Sequence, residues 1–329
     1  MAFEDWDAPA SGVICSFGFT EGRARPAAEP ALARSGRAGD WCWTHLRLSD
    51  VRALALLRSM ADLPPEALEM FAAGESRVQI GDAHGWVFGV LPDLERDLSG
   101  HPQDIGRMVF AFDPTRLVTG RLHALLAADD LRRAAQAGEI LTSPAAAVTT
   151  HVQLYLDHLE GLLDEAGQQL ASVEDYVLTQ PQSPREVELS SLRRTVARHR
   201  RELQALRRAL VRANAGRRKG GRIDVFREEL TDLIAAVEDL DHDAGVLQER
   251  GRLLHEEIDT LINAATNRSM RALTIISTLL IPPTLVTGAF GMNVPGIPFE
   301  HSPGGFAIAL AVCGLVVGAA LFLLRRMGM

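Results

Sequence analysis

The stretch PPTLVTGAFGMNVPGIPF, residues 282–299, decides how the rest of the chain is read. An uncharged run closes on Gly291, Met292 and Asn293, then breaks into proline and glycine. Extended backward, residues 272–290 give 19 positions without a charge, and residues 305–324 give 20 more. Each run matches the ~20 residues that cross a hydrocarbon core about 30 Å thick at about 1.5 Å per residue. A buried pair of core helices and a membrane hairpin both fit such runs; two of them back to back favour the hairpin. Arg268 and Arg271 precede the first run, and Arg325 and Arg326 follow the second. Basic flanks favour the cytoplasmic side, so both ends of the hairpin are expected there, with residues 293–304 as a short loop on the other side. No apolar leader is visible in the acidic MAFEDWDAPA opening, which fits a cytosolic N-terminal region.

An anchor needs only apolar residues, and the first run is built otherwise. It carries Thr274, Ser277, Thr278, Thr284 and Thr287, with Pro282 and Pro283 in its middle. Proline removes an amide donor, and in lipid the carbonyls freed near Thr278 and Leu279 need other partners. At helical spacing Met270, Leu273, Ser277, Ile281, Thr284, Gly288 and Gly291 share one face, with small or polar groups at several depths. Copies assembled with that face inward would enclose a narrow path of alternating apolar and oxygen rings. Helix packing through small residues uses the same chemistry, so both readings stay open here. The second run has no hydroxyl or amide, which suits a lipid-facing position. Its GLVVG, residues 314–318, is a small-xxx-small pair that could press it against the first run.

Upstream, residues 144–271 read as helical stalk, broken at QPQSP (180–184) and at NAGRRKGG (214–221). Leu230, Leu233, Val237, Leu240, Ala244, Leu247, Leu254, Ile258, Leu261 and Ala265 keep a 3–4 alternation that only Gly251 interrupts. The stripe runs into the first span, so residues 222–292 are expected to form one helix roughly 105 Å long. Such a helix calls for support by further copies. Charge is segregated: residues 193–222 hold twelve Lys/Arg against Glu202 alone, and residues 224–259 hold twelve acids against three arginines. Antiparallel neutralisation is the plain explanation, and an acidic vestibule that concentrates cations is the functional one. Without interleaved aromatics, the basic run is not expected to bind nucleic acid. Within the acidic run, Glu238 with His242 and Asp239 with Asp243 stand four apart on one helix surface. That spacing makes them a weak candidate for a divalent ion.

Residues 1–143 look mixed. Short strands are expected at 41–48, 76–80, 85–91, 107–112 and 116–120, and helices at 49–61, 65–73 and 122–137. Ser49 and the Pro64–Pro65 pair are the helix-start signals. This is an α/β domain. His45, His84, His101 and His123 lack ligand spacing, and Cys15, Cys42 and Cys313 are too scattered for a disulfide framework. With no phosphate loop, nucleophile elbow or paired catalytic carboxylates in view, an enzyme is not expected. With 42 acidic against 34 basic residues, the chain is mildly acidic overall.

Gly291-Met292-Asn293 ending a span, then a short loop and a second span, resembles the CorA superfamily of divalent-cation transporters. The wider TNRSMRALTIISTLLIPPTLVTGAFGMNVPGIPF, residues 266–299, is similar to the zinc-transporter branch of that superfamily. Pro295 stands where the branch commonly has glycine, while Gly296, Ile297 and Pro298 match. The resemblance implies an α+β membrane protein: a cytosolic α/β domain, a long helical stalk and two C-terminal membrane helices, assembled as a funnel-shaped homopentamer in the bacterial inner membrane. It implies that 272–292 lines the pore, 305–324 surrounds it and 325–329 is a cytosolic tail. Gly291, Met292 and Asn293 would form the selective mouth; Thr284 would be a deeper oxygen ring; Ile281, Leu273 and Met270 would be constrictions. Glu300 and His301 would draw cations to the loop. The transported ion would be Zn²⁺ or a related divalent cation, taken up with proton coupling as an option, and no resident cofactor is expected. A CorA-like Mg²⁺, Co²⁺ or Ni²⁺ channel is the alternative within the superfamily. A membrane-anchored sensor without transport is the alternative outside it.

Overall fold

The computed structural model describes residues 12–27, 39–74, 77–96, 104–179, 186–215, 227–292 and 304–326. Seven strands form one sheet: β1 (Val13–Thr20), β2 (Arg23–Pro26), β3 (Trp41–Arg47), β4 (Gln79–Ala83), β5 (Trp86–Leu94), β6 (Ile105–Phe112) and β7 (Arg116–Arg121). Their order is β2-β1-β3-β7-β6-β5-β4. β3 and β7 pair in parallel at the centre, and every other neighbour pairs antiparallel. Four of the five expected strands are present within two to three residues at their ends, and the one expected at 76–80 is displaced to Gln79–Ala83. β1 and β2 were not anticipated, although Val13, Cys15, Phe17 and Phe19 alternate at period two and are all buried.

Each strand serves two cores because its side chains alternate. On one face Leu46, Val90, Val109, Ala111 and Val118 pack with Ala53, Leu57, Ala67 and Phe71 of α1 (Val51–Arg58) and α2 (Pro65–Ala73). On the other, Phe19 stacks on Trp41 at 3.7 Å, and Trp43 Nε1 donates to Thr119 Oγ1 at 2.7 Å. α1 begins later than Ser49 suggested, because Asp50 is the cap: its Oδ1 accepts from the Arg52 amide at 3.0 Å. α3 (Leu126–Ala137) also begins later than expected. Its start is fixed from β5, where buried Asp93 accepts from the amides of Ala127 and Ala128, both at 3.0 Å. No local signal near residue 122 could have revealed that cap. His84 (φ 52) and Gly85 (φ 82) turn the β4–β5 hairpin, His123 is exposed and His101 lies outside the described residues.

Beyond the sheet come α4 (Pro144–Thr179), α5 (Glu186–Ala215), α6 (Arg227–Phe290) and α7 (Gly305–Arg326). α6 is one helix of 64 residues, roughly 96 Å at 1.5 Å per residue, and Pro282 and Pro283 lie inside it. The break at 180–184 and most of that at 214–221 lie outside the described residues, while Asn214 and Ala215 are still helical. The segregated charges of α5 and α6 face each other in antiparallel register. Arg207 Nε donates to Glu238 at 2.7 Å, and Arg200 Nε and Gln204 Nε2 each donate to Asp241 at 3.3 Å. Such half-exposed pairs contribute only about 0.2–1 kcal/mol each, so they set register more than stability. Glu202, the one acid of the basic run, accepts from Arg107 of β6 at 3.0 Å.

The chain divides into two compact units, Met1–Glu174 with Val187–Arg252, and Asp175–Glu186 with Leu253–Met329. The first unit buries three neutral histidines. Burial holds His45 well below its ordinary value, helped by Arg121, His151 and Arg132. Burial also brings His151 down to about 3 and, with Arg198, His199 down to about 4. Asp93 moves the other way: burial raises it to about 7 against the pull of the Ala127, Ala128 and Leu94 amides. Unfolding lets each histidine bind a proton below its ordinary 6.5, so stability falls as pH drops from there toward 4. The Asp93 contribution has the opposite sign, present below 3.8 and lost as pH rises through about 7. Three groups outweigh one. Denaturation midpoints are therefore expected to fall between pH 7 and pH 5, with Asp93→Asn steepening the slope and His151→Phe shallowing it.

Candidate functional site: the apolar helix pair

The second unit is built from the C-terminal part of α6 and from α7. Each helix contains a stretch apolar enough to cross a membrane, of which 0 % on α6 and 6 % on α7 is buried within the chain. A pair of soluble core helices would bury these stretches. Instead Leu285 is 73 % exposed, and Ile276, Leu280, Leu315 and Phe322 are open as well. Apolar surface this continuous belongs against lipid or further protein. On α7 the covered residues recur at Ile308, Ala309, Cys313, Val316, Val317, Ala320 and Leu324, a single stripe at helical spacing. Gly314 and Gly318 lie off that stripe, and a Cβ on either would meet nothing within 4 Å. The expectation that GLVVG presses α7 onto α6 is therefore corrected: branched and small residues form the stripe, and both glycines face outward.

On α6, Met270, Leu273, Ser277, Ile281, Thr284, Gly288 and Gly291 fall within an arc of about 80° at 3.6 residues per turn. Ser277 is half-buried and the others are exposed, Ile281 at 64 %. A Cβ at Gly288 would meet nothing within 4 Å, so the face is narrow at that depth and open. Thr284 Oγ1 donates to the Leu280 carbonyl at 2.7 Å. That bond uses the hydroxyl's one proton inside its own helix and leaves the oxygen lone pairs as acceptors. Thr274 does the same to Met270, and Thr287 to Thr284. The helix closes as the Gly291 amide donates to Thr287 at 2.9 Å and Met292 to Ala289 at 3.4 Å. Asn293, Glu300 and His301 lie outside the described residues.

The stalk carboxylates have other partners. Glu238 is bound to Arg207, while Asp239, His242 and Asp243 are exposed. Among the described residues no three His, Cys, Asp or Glu side chains converge as a metal site. Cys15 and Cys42 are inert by burial, which pushes their thiols up to about 12 and about 11. Sequence reading marked the basic run of α5 but not that its arginines near residues 193–200 line a cavity against α6. The signal available was Gly245 and Gly251 inside an otherwise regular helix.

A mixed sheet domain, one long helix and two apolar C-terminal helices with a hydroxyl-bearing face define a membrane transporter of two spans. A family model described as CorA-like Mg²⁺ transporter protein matches residues 38–326, and the chain belongs to that family. The zinc transport protein ZntB of Pectobacterium carotovorum subsp. carotovorum is 25% identical over 289 residues, 87% of this chain and 86% of its own length. The divalent cation transporter CmaX of Pseudomonas aeruginosa is 29% identical over 286 residues, 85% of this chain and 84% of its own. The structure of full-length CmaX matches with a TM-score of 0.81 at 24% identity, covering 97% of this chain and 98% of that one. The CorA magnesium transporter from Methanocaldococcus jannaschii matches at 0.73 and 16% identity, over 95% and 98% of the two chains. The expected chain fold, a sheet domain, a long helix and two apolar C-terminal helices, is thus the one these full-length chains share.

Proposed function

We propose that the chain carries Zn²⁺ and related divalent cations across the bacterial inner membrane, in the direction of uptake, through a pore formed by five copies. The observation that carries this reading is the open face of α6, on which Thr284 offers only acceptor lone pairs between the apolar Ile281 and the bare Gly288. One such face cannot enclose a path; a ring of copies can. Oxygen acceptors suit hydrated divalent cations, which shed water reluctantly, and the apolar levels at Ile281, Leu273 and Met270 narrow the route between them. Gly291, Met292 and Asn293 present amide oxygens at the outer mouth, and Glu300 with His301 raises the local cation concentration there. The basic flanks at Arg268, Arg271, Arg325 and Arg326 put both termini in the cytoplasm.

Zinc is favoured by the likeness to ZntB. An oxygen-lined path without thiolate or imidazole does not itself select zinc, so a broader Mg²⁺, Co²⁺ and Ni²⁺ channel is the second reading. That reading is favoured by the likeness to CmaX and to the magnesium transporter CorA. Uptake of each cation into liposomes, with and without a pH gradient, separates them. Zn²⁺ flux accelerated by an imposed proton gradient supports proton-coupled zinc uptake. Mg²⁺ or Co²⁺ flux exceeding that of Zn²⁺, and indifferent to pH, supports the channel. No flux of any of them contradicts both.

A further inference from the structure

Between α5 and α6, within the first unit, lies a cavity of about 480 Å³. Arg193, Arg194 and Arg200 reach it from one helix and Arg252 from the other, with Ala197 and Gly245 among its lining. Below this level Arg207 meets Glu238, and Arg200 at the cavity edge meets Asp241. For Arg193 and Arg194 that pairing stops. Opposite them α6 offers Gly245, Gln248 and Gly251, and its Glu249 is taken by Arg252.

Glycine inside a helix costs roughly 0.5–1 kcal/mol relative to alanine, so two within seven residues need a local reason. Here the reason is room for guanidinium groups. A Cβ at Gly245 would stand 3.0 Å from Arg200 Nη2, and one at Gly251 3.1 Å from Arg193 Cγ. The glycines let both arginines lie across the surface of α6 without moving their own helix. Arg200 Nε donates to Asp241 at 3.3 Å and Nη1 to Gln248 at 2.9 Å, the latter a neutral contact on the cavity side. Arg252 is tied to Glu249, the one carboxylate of the lining, with a nearest contact of 2.6 Å. Arg194 donates to the Ser190 carbonyl of its own helix at 3.2 Å, and neither it nor Arg193 has a carboxylate partner among the described residues. Four guanidinium groups thus line a cavity of small-molecule size; Arg200 is paired with Asp241 and Arg252 with Glu249, which leaves the charges of Arg193 and Arg194 in excess.

We propose that this cavity binds a small anion with two linked phosphoryl groups, held by Arg193, Arg194 and Arg200. Planar guanidinium forks match phosphate oxygens two at a time, which favours phosphate over a compact halide. No aromatic side chain lines the cavity, so a nucleobase has nothing to stack on and the diphosphate itself is the recognised group. Free pyrophosphate and the diphosphate tail of a nucleotide share that chemistry. The cavity lies in the first unit, and the proposal does not rest on the pore reading.

Calorimetric titration of the full-length, detergent-solubilised chain in metal-free buffer tests it, with pyrophosphate, ADP and inorganic phosphate as separate arms. Pyrophosphate is expected to bind in the micromolar to submillimolar range, more tightly than phosphate, and more weakly as salt is raised. ADP binding as well as pyrophosphate points to a nucleotide tail; pyrophosphate binding alone points to the free ion. The double variant Arg193→Gln/Arg194→Gln removes two solvent-accessible charges from α5 and is expected to weaken pyrophosphate at least about tenfold. Gly245→Leu, which crowds Arg200, is expected to weaken it comparably, with thermal unfolding checking that the helices stay intact. Absence of heat at millimolar pyrophosphate would overturn the proposal. So would equal binding of phosphate and pyrophosphate, or an affinity unchanged in the folded double variant.

Discussion

Replacing Asn293 by alanine is expected to reduce Zn²⁺ flux into liposomes by at least about tenfold, which is about 1.4 kcal/mol on the barrier to entry. In the proposed mouth, each copy contributes one amide oxygen that accepts a hydrogen bond from water held by the arriving cation. A single such bond is worth about 0.5–1.5 kcal/mol net, and a ring loses five together, so the tenfold figure is a lower bound. Alanine keeps the helix end, where Gly291 and Met292 donate to Thr287 and Ala289, because neither bond involves the Asn293 side chain. Loss of flux would therefore report the amide rather than a collapsed turn. Undiminished flux in Asn293→Ala would remove the mouth assignment while leaving the membrane topology intact.

The second large effect is on stability, at Arg116. Its side chain and that of Asp113 are 5 % and 4 % exposed. Arg116 Nε donates to Asp113 at 3.0 Å and Nη2 at 2.6 Å, Asp62 closes the other side, and the guanidinium stands 4.6 Å from the Trp86 ring centroid. Burial pushes the Asp113 carboxyl up, but hydrogen bonds from Arg116 and Thr115 and the Arg116 charge outweigh it and hold the group below its ordinary value. Arg116→Ala removes the charge and the stacking together and leaves Asp113 with only neutral donors. The expected cost is about 3–5 kcal/mol, read from denaturant unfolding followed by tryptophan fluorescence, since Trp86 itself reports the site. Arg116→Lys is expected to fall between, keeping the charge but losing the fork. A cost below about 1 kcal/mol for Arg116→Ala would mean that the pair behaves as a surface salt bridge.

The membrane half of the fold was legible because lipid imposes a coarse rule, an uncharged run of sufficient length, and both runs obey it. α2 was legible to the residue because Pro64 and Pro65 punctuate its start and Gly74 follows its end. Elsewhere the deciding partners are remote in sequence. The start of α3 depends on Asp93 of β5, and β2 is a four-residue, half-charged strand whose place is fixed by pairing with β1. β1 was available from its alternation, but Gly18 and two polar positions obscured it. The seven-residue face of α6 was legible from spacing alone. That Thr284 spends its proton on Leu280 was not, because rotamers follow from three-dimensional context. The outward turn of Gly314 and Gly318 shows the limit of motif reading: small-xxx-small spacing says that a close approach is permitted, not which partner makes it.

The central claim is that this one face of α6 lines the route of the cation. The most direct measurement is Zn²⁺ flux in proteoliposomes carrying Thr284→Cys, before and after treatment with a charged, membrane-impermeant thiol reagent, beside Leu285→Cys treated alike. Thr284 lies on the proposed face; Leu285, 73 % exposed, lies one residue and about 100° off it. Cys15 and Cys42 are buried, and Cys313→Ala removes the remaining background thiol. Flux blocked at position 284 and unchanged at 285 is the predicted result. Equal sensitivity at both positions, or block at 285 alone, would contradict it.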